Sequence, residues 1–436
     1  MNTLAAADTA TTDTRYVSRS LRLLDDLFGR DAGGSLAVRL WDGTRWPDDA
    51  PRAVTLVLKH PGALRAMFSV GSELALSEAY LYDDFDIEGV VENAFDLVDA
   101  LAKRTSGWRR KLSVLADLRR LPPAGSHRSG RRGPARLSGR QHSVERDREA
   151  VRYHYDVSND FYRLFLDSRM VYSCGYFETA ATDLDHAQLR KLDMICRKLR
   201  LRPGMRILDV GCGWGGLVLH AAQAYGVDAT GITLSAPQVE LANQRIAAAG
   251  MNGSCRVELL DYREVKEDQG YDALVSVGMF EHVGQKMLPG YFEKAARLLK
   301  RGGVFLNHGI ASRATDPAWH GPNFSDTYVF PDGETVPINA TLRAAEEAGF
   351  EVRDVESLRE HYALTLRHWV RRLEDGHDQA LRYVDEPTYR VWRLYMSGSA
   401  HGFRSRRLNV YQALLAFPDP RGASGLPLTR NDWYAV

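Results

Sequence analysis

Cysteine is scarce in this 436-residue chain: Cys174, Cys196, Cys212 and Cys255 are all there is, and no two share CxxC spacing. That argues against a disulfide framework and against a zinc site, and fits a reducing compartment. No metal is expected. Long apolar runs are missing as well. Nothing approaches the ~20 apolar residues of a spanning helix, and the opening "MNTLAAADTATTDTRYVSRS" has no apolar core of a signal peptide. The expectation is a soluble, cytoplasmic protein. Net charge is nearly absent, at +1, but that balance hides a local bias. Residues 103–140 hold twelve Lys/Arg and a single acid, Asp117, so the stretch carries about +11 and the remainder about −10. A basic stretch of this kind reads as a binder of an anionic surface, membrane or nucleic acid, or as a solvated spacer. Its second half, rich in Gly, Pro and Ser, reads as a mobile linker.

The organisation expected is a small N-terminal α+β domain at 15–102, a basic flexible linker at 103–145 and a larger domain at 146–436. In the first, "SLAVRLW" and "AVTLVLK" read as strands. "DIEGVVENAFDLVDALAKR" reads as an amphipathic helix that gathers Ile87, Val91, Phe95, Val98 and Leu101 on one face. The domain holds no catalytic constellation, which points to a supporting or lipid-handling role. In the larger domain, strands alternate with helices: "MRILDVG", "VDATGITL", "CRVELLD", "DALVSVG", "GVFLNHGI", "EVRDVESL" and a late "NVYQALLAF". Helical stretches such as "GGLVLHAAQAYG" and "PQVELANQRIAAAG" separate them. The fold class is α/β: a doubly wound, seven-stranded Rossmann-like domain with a parallel sheet.

"LDVGCGWGG" follows the first of these strands and opens a helix. Gly211, Gly213 and Gly215 let the backbone turn sharply and approach a ligand closely. Dinucleotide-binding sheets use a similar device, but three details differ here. Asp209 precedes the first glycine, where a negative charge opposes a pyrophosphate yet suits a cationic sulfonium. The full GxGxxG spacing is absent. The next strand ends in "GITLSAPQ", with no acid for a dinucleotide ribose.

These features resemble class I S-adenosylmethionine-dependent methyltransferases. The blocks "HYDVSNDFYRLFLD", "YSCGYF", "LDVGCGWGG", "GITLS", "GMFEHVG", "NHGI" and "LYMSGSAHGF" look more specifically like the cyclopropane-fatty-acyl-phospholipid synthase family, which includes mycolic acid cyclopropane synthases and methylene-forming fatty acyl methyltransferases. The resemblance covers roughly 150–420 strongly and the N-terminal domain weakly. It implies a methyltransferase domain at 146–436 and places Tyr172, Ser173, Gly211 and Gly213 around the methionine part of the cofactor. Thr233 and Gln238 take the ribose, and Asp261 and Tyr262 flank the adenine. Gly215 and Gly216 have a competing reading as plain helix–strand packing.

The reaction the resemblance implies is addition of a methyl(ene) group to the cis double bond of an unsaturated phospholipid acyl chain. Alignment of the alkene with the sulfonium methyl needs no covalent enzyme intermediate. The resulting cation loses a proton to give either a cyclopropane or a methylene branch. The resemblance also implies a bound bicarbonate as base, held by Cys174, Gly278, Glu281, His308, Ile310 and Tyr362. Cys174, in "YSCGYF", then contributes its backbone and small size rather than a nucleophilic thiol, because no activating neighbour stands beside it in sequence. Tyr362 shares a helical stripe with Leu358, Leu366, Trp369 and Leu373 and is open to a core reading; His282 is read as structural.

Segments 311–340 and 358–408 fit a lid over an apolar tunnel. The expected partners are an unsaturated phospholipid and an anionic membrane met through the basic linker, not nucleic acid; a homodimer is left open. Peripheral attachment to the inner membrane face follows. Rival readings are C-methylation of a sterol or carrier-bound chain, and a non-catalytic cofactor sensor.

Overall fold

The computed structural model describes residues 2–29, 36–68, 72–104, 108–123, 130, 132–266, 270–315 and 323–434, with backbone alone at 2–13, 102–104 and 108–111. The chain divides into two compact units. One joins Met1–Gly133 with Gly321–Phe324 and Val384–His401; the other joins Pro134–His320 with Ser325–Tyr383 and Gly402–Val436.

The first unit holds strands β1 (Leu36–Arg39), β2 (Arg45–Trp46), β3 (Val54–Leu58) and β4 (Phe85–Gly89) in the order β2-β1-β3-β4. Alternate residues of β3 are buried, the mark of a sheet with one covered face. The helix expected from Asp86 starts later, at Val91. Ile87 belongs to β4, whose last residue, Gly89, turns at φ +89°. Val98 is 40% exposed, so the buried stripe is narrower than its spacing suggests. The basic segment also differs from a simple linker. Its residues Trp108–Leu118 form a helix, and Leu118 and Leu121 are buried. Within the segment, residues 105–107, 124–129 and 131 lie outside the described residues, and part of the mobile-linker expectation falls on them.

The segment Val384–His401 comes from far along the chain, within the helix Glu386–Arg404. Buried Arg390 explains its place in this unit. Its guanidinium donates to the Tyr80 carbonyl at 2.8 Å and pairs with Asp83 at 2.9 Å and Glu386 at 3.0 Å. A buried cation is tolerated only with such partners. Of the expected lid, then, 384–401 clusters with the first unit, and residues 316–322 lie outside the described residues.

The second unit is built on β5 (Arg206–Val210), β6 (Asp228–Thr233), β7 (Cys255–Leu259), β8 (Tyr271–Val277), β9 (Leu299–Ser312), β10 (Glu351–Ser357) and β11 (Leu408–Ala416). The order is β10-β11-β9-β8-β5-β6-β7. β5 through β9 pair in parallel, but β11 runs antiparallel to both β9 and β10. The sheet is therefore mixed, a correction to the all-parallel expectation. Burial pattern alone gave no direction for β11, because a strand covered on both faces reads as one apolar run either way. Ile207, Ala273, Val275 and Leu306 pack on one face; Leu208, Leu274 and Phe305 pack on the other. Helices cover both faces, and the strand order reverses about β5, the position where such sheets bind ligands at their carboxyl ends.

Candidate active site

At the end of β5 the chain turns through Gly211 (φ +82°) and Gly213 (φ +55°) before entering the helix Gly216–Tyr225. The N–H groups of Gly211 and Cys212 both donate to the Ile232 carbonyl, at 2.9 and 3.0 Å, which holds the turn against β6. A Cβ on Gly211 would stand 2.5 Å from Met279 Cβ; one on Gly213 would meet nothing within 4 Å. A Cβ on Gly215 or Gly216 would press on Ala242 or the Arg169 carbonyl, so packing accounts for both.

This turn edges a cavity that is also lined by Tyr172, Ser173, Asp209, Thr233, Gln238, Asp261, Tyr262 and Gly278. All nine residues expected around the cofactor thus share one cavity. Thr233 donates its hydroxyl to Gln238 Oε1 at 2.6 Å. Asp261 is buried and paired with Arg263 at 2.7 Å, and Arg263 reaches across to Asp147 at 2.9 Å. Tyr262 lies beneath that guanidinium, and burial pushes its phenol up to about 12. Tyr172 stacks on Trp369, with centroids 5.0 Å apart.

Asp209 is buried with Oδ1 unpartnered, and burial raises its carboxyl to about 7 against the opposing pull of Lys191. Lys191 is the residue that sequence reasoning missed. It is buried, lines the cavity, donates to Ser173 Oγ at 2.9 Å, and is pushed down to about 8 by burial. The signal was present: a lysine on the buried stripe of the helix Leu184–Lys198, between Ala187 and Ile195. His282 also borders the cavity, stacked 4.2 Å from Phe330, and burial lowers it to about 4.

Of the six residues expected to form the catalytic set, Gly278 lines the cavity and the other five do not. They fall into two groups. Glu281 Oε1 accepts from the Ile310 N–H at 2.7 Å, and His308 accepts from the Gly278 N–H through its carbonyl at 2.9 Å. The Ile310 N–H is thus engaged by Glu281. Burial raises Glu281 from 4.5 to about 7, and its Oε2 has no partner. His308 Nε2 is likewise unpartnered, and burial beside Lys191 and Lys198 keeps the imidazole well below its usual range. In the second group, the Leu358 carbonyl lies 3.7 Å from Cys174 Sγ and accepts the Tyr362 N–H at 3.0 Å. Tyr362 stacks on Phe403 and meets Trp369 edge-on, which links it by rings to Tyr172. Lys191 acts electrostatically on Cys174, Asp209 and His308, and so couples to a member of each group. Burial pushes the fully enclosed Cys174 thiol far up, leaving it protonated and a poor nucleophile. Among the described residues no cluster of His, Cys, Asp and Glu has metal-site geometry, and no helix is long and apolar enough to cross a membrane.

A Rossmann-like sheet with this cavity at its switch point defines the class: an S-adenosylmethionine-dependent methyltransferase. The family described as mycolic acid cyclopropane synthetase matches residues 142–413, and the chain belongs to it. A Pseudomonas putida protein designated "Probable fatty acid methyltransferase" is 40% identical over 402 residues, 92% of this chain and 96% of its own. A Mycobacterium tuberculosis protein of like designation is 37% identical over 413 residues, again 92% and 96%. The solved mycolic acid cyclopropane synthase CmaA1, complexed with SAH and CTAB, is 36% identical, with a TM-score of 0.58 over 62% of this chain and 97% of its own. The chain is accordingly an enzyme of the cyclopropane synthase type, acting on fatty acyl chains.

Proposed function

We propose that the enzyme adds a methyl(ene) group to the cis double bond of an unsaturated phospholipid acyl chain, with bicarbonate as an accessory ion. The observation that carries this reading is the pair of orphaned, buried polar atoms, Glu281 Oε2 and His308 Nε2, near a cavity suited to a sulfonium ligand. Buried polar atoms without partners are uncommon and call for an explanation. A small planar anion with both donor and acceptor oxygens fits a set made of one carboxyl and one imidazole.

S-Adenosylmethionine, when bound, supplies an electrophilic methyl group. Held by the turn at Gly211 and Gly213 and by Thr233 and Gln238, it would give up its methyl to the alkene, a C–C bond replacing the C–S bond, and the acyl chain would then have one proton to lose. Bicarbonate, when bound, supplies the base for that proton. Asp209 offers a carboxylate toward a cationic ligand, and Lys191 keeps Ser173 in place beside it. Tyr172 lines the cavity, where an aromatic ring stabilises positive charge through its quadrupole, and Trp369, stacked on it and met edge-on by Tyr362, holds that ring in place. The protonated Cys174 thiol does not compete for the electrophile. Loss of the proton from the new methyl closes a cyclopropane; loss from the neighbouring carbon gives a methylene branch.

The test is purified enzyme with vesicles of monounsaturated phospholipid and S-adenosylmethionine, with and without added bicarbonate. Acyl chains heavier by one CH2 are expected, formed faster with bicarbonate, and product NMR shows ring protons or a terminal alkene. Acyl chains of unchanged mass under both conditions exclude the reading. In the same assay Cys174→Ala is expected to keep turnover within about tenfold, since a thiol nucleophile would cost several orders of magnitude; complete loss in a folded variant would restore the nucleophile.

Residues 103–140 support peripheral attachment to an anionic bilayer, at about 1 kcal/mol per Lys or Arg near the surface. Sedimentation with anionic vesicles is expected to fall steeply as salt rises, with little binding to neutral vesicles. Equal binding to both removes the segment from the reading.

A further inference from the structure

Behind His308 lies a buried chain of polar side chains that no step above has used. Gln412 on β11 is the cross-strand partner of His308 on β9, and both are buried. Gln412 Nε2 lies 3.2 Å from His308 Nδ1, while Gln412 Oε1 lies 2.9 Å from Lys198 Nζ. Lys198 is fully enclosed. It pairs with Glu356, stands 3.8 Å from Asp354, and its ammonium lies 5.4 Å from the Trp433 ring.

The two ends of this chain fix its direction. An ammonium among carboxylates has donors only, so the group facing it must be the amide oxygen. A reversed amide would set NH2 against NH3+, donor against donor, in a site closed to water. The NH2 end therefore faces His308 and donates. A neutral imidazole has one donor nitrogen and one acceptor nitrogen. Nδ1 accepts a hydrogen bond from the amide N–H, so the ring's own proton sits on Nε2, the atom left without a partner.

We infer that Gln412, oriented by Lys198, is a positioning residue that locks His308 in its Nε2–H tautomer, so that His308 presents a hydrogen-bond donor to the anion site and is not the base that takes the proton. The low basicity of the enclosed imidazole agrees with this: it stays neutral while flanked by Lys191 and Lys198. A carboxylate at 412 would reverse the logic. It would still accept from Lys198, but it would also demand a proton from Nδ1, turning Nε2 into an acceptor. The tautomer follows from the hydrogen-bond geometry alone; its catalytic consequence rests on the reading under Proposed function.

The experiment is ring-15N histidine NMR on the full chain, with the His308 signals assigned by their disappearance in His308→Gln. Wild-type protein is expected to show a protonated Nε2 and an unprotonated, pyridine-like Nδ1. Gln412→Glu moves the proton to Nδ1 and lowers kcat at least tenfold, with SAH affinity changed by less than about threefold. Should that variant not fold, Gln412→Met, which conserves volume, is expected to shift both ring nitrogens toward each other, to values averaged between the two tautomers. A wild-type spectrum with the proton on Nδ1, or a folded Gln412→Glu whose tautomer is unmoved, overturns the assignment. A proton moved to Nδ1 with kcat intact overturns the positioning role and leaves the function standing. The assigned tautomer in an enzyme that makes no heavier acyl chain overturns the function and leaves the tautomer standing.

Discussion

Replacing Glu281 with glutamine lowers turnover by about two to three orders of magnitude, roughly 3–4 kcal/mol of transition-state stabilisation, while SAH affinity changes by less than about threefold. The separation follows from position. Glu281 is absent from the cofactor cavity, so ligand binding there does not register the change. Its Oε1 holds the Ile310 N–H at 2.7 Å, and the glutamine carbonyl oxygen preserves that bond. What is exchanged is Oε2, the orphaned oxygen, for an NH2 donor. A site that needs an acceptor or an ionisable carboxyl at this atom loses it, and little else moves. A loss of under tenfold in kcat would show that the anion site lies elsewhere.

The same variant carries a stability signature with a fixed sign. Burial raises the Glu281 carboxyl from 4.5 to about 7. Between those values the folded chain holds this proton and the unfolded chain has released it. Stability attributable to Glu281 therefore falls as pH rises through that window, and the loss is complete above about 7. Glutamine does not titrate. The Tm of Glu281→Gln should then match wild type near pH 4.5, exceed it increasingly up to about pH 7 and stay above it by a constant margin at higher pH, read by thermal unfolding at a series of pH values. An enzyme more stable and far less active is the expected trade at a site that buries an ionisable group for its chemistry.

How much of this was legible beforehand depended on which residues carried a local signature. The glycine turn, the strand–helix alternation and the cofactor-lining residues are local features of "LDVGCGWGG", "GITLS" and "DYREV", and one cavity gathers them. Lys191 was harder to see, because a lysine in a helix is by habit assigned to solvent, and only the tertiary fold encloses it. The Gln412–Lys198 pair was out of reach for another reason. Its partners are separated by 214 residues, and the link needs β11 to lie antiparallel beside β9. Strand direction leaves no trace in the periodicity of a strand buried on both faces. The assignment of 384–401 to the first unit was hidden in the same way, since Arg390 is one more exposed-looking arginine until Tyr80 and Asp83 are folded against it.

The two glycines of the turn separate structural need from ligand need. Both sit at positive φ, where any other residue carries a strain of about 1–2 kcal/mol. At Gly211 the added methyl also collides with Met279 Cβ at 2.5 Å, inside the protein itself. Gly211→Ala must displace the segment that carries Met279, Phe280 and Glu281, so it is expected to lower Tm by several degrees and to abolish SAH binding and turnover together. At Gly213 the added methyl meets no protein atom within 4 Å and enters space beside the cavity. Gly213→Ala is therefore expected to unfold within a few degrees of wild type, yet to bind SAH at least about 30-fold more weakly, some 2 kcal/mol, because only the ligand contests that space. Calorimetric titration with SAH, set beside thermal unfolding, reads both quantities in each variant. Full SAH affinity in Gly213→Ala would mean that the cofactor does not approach this turn, and the cavity would need another occupant.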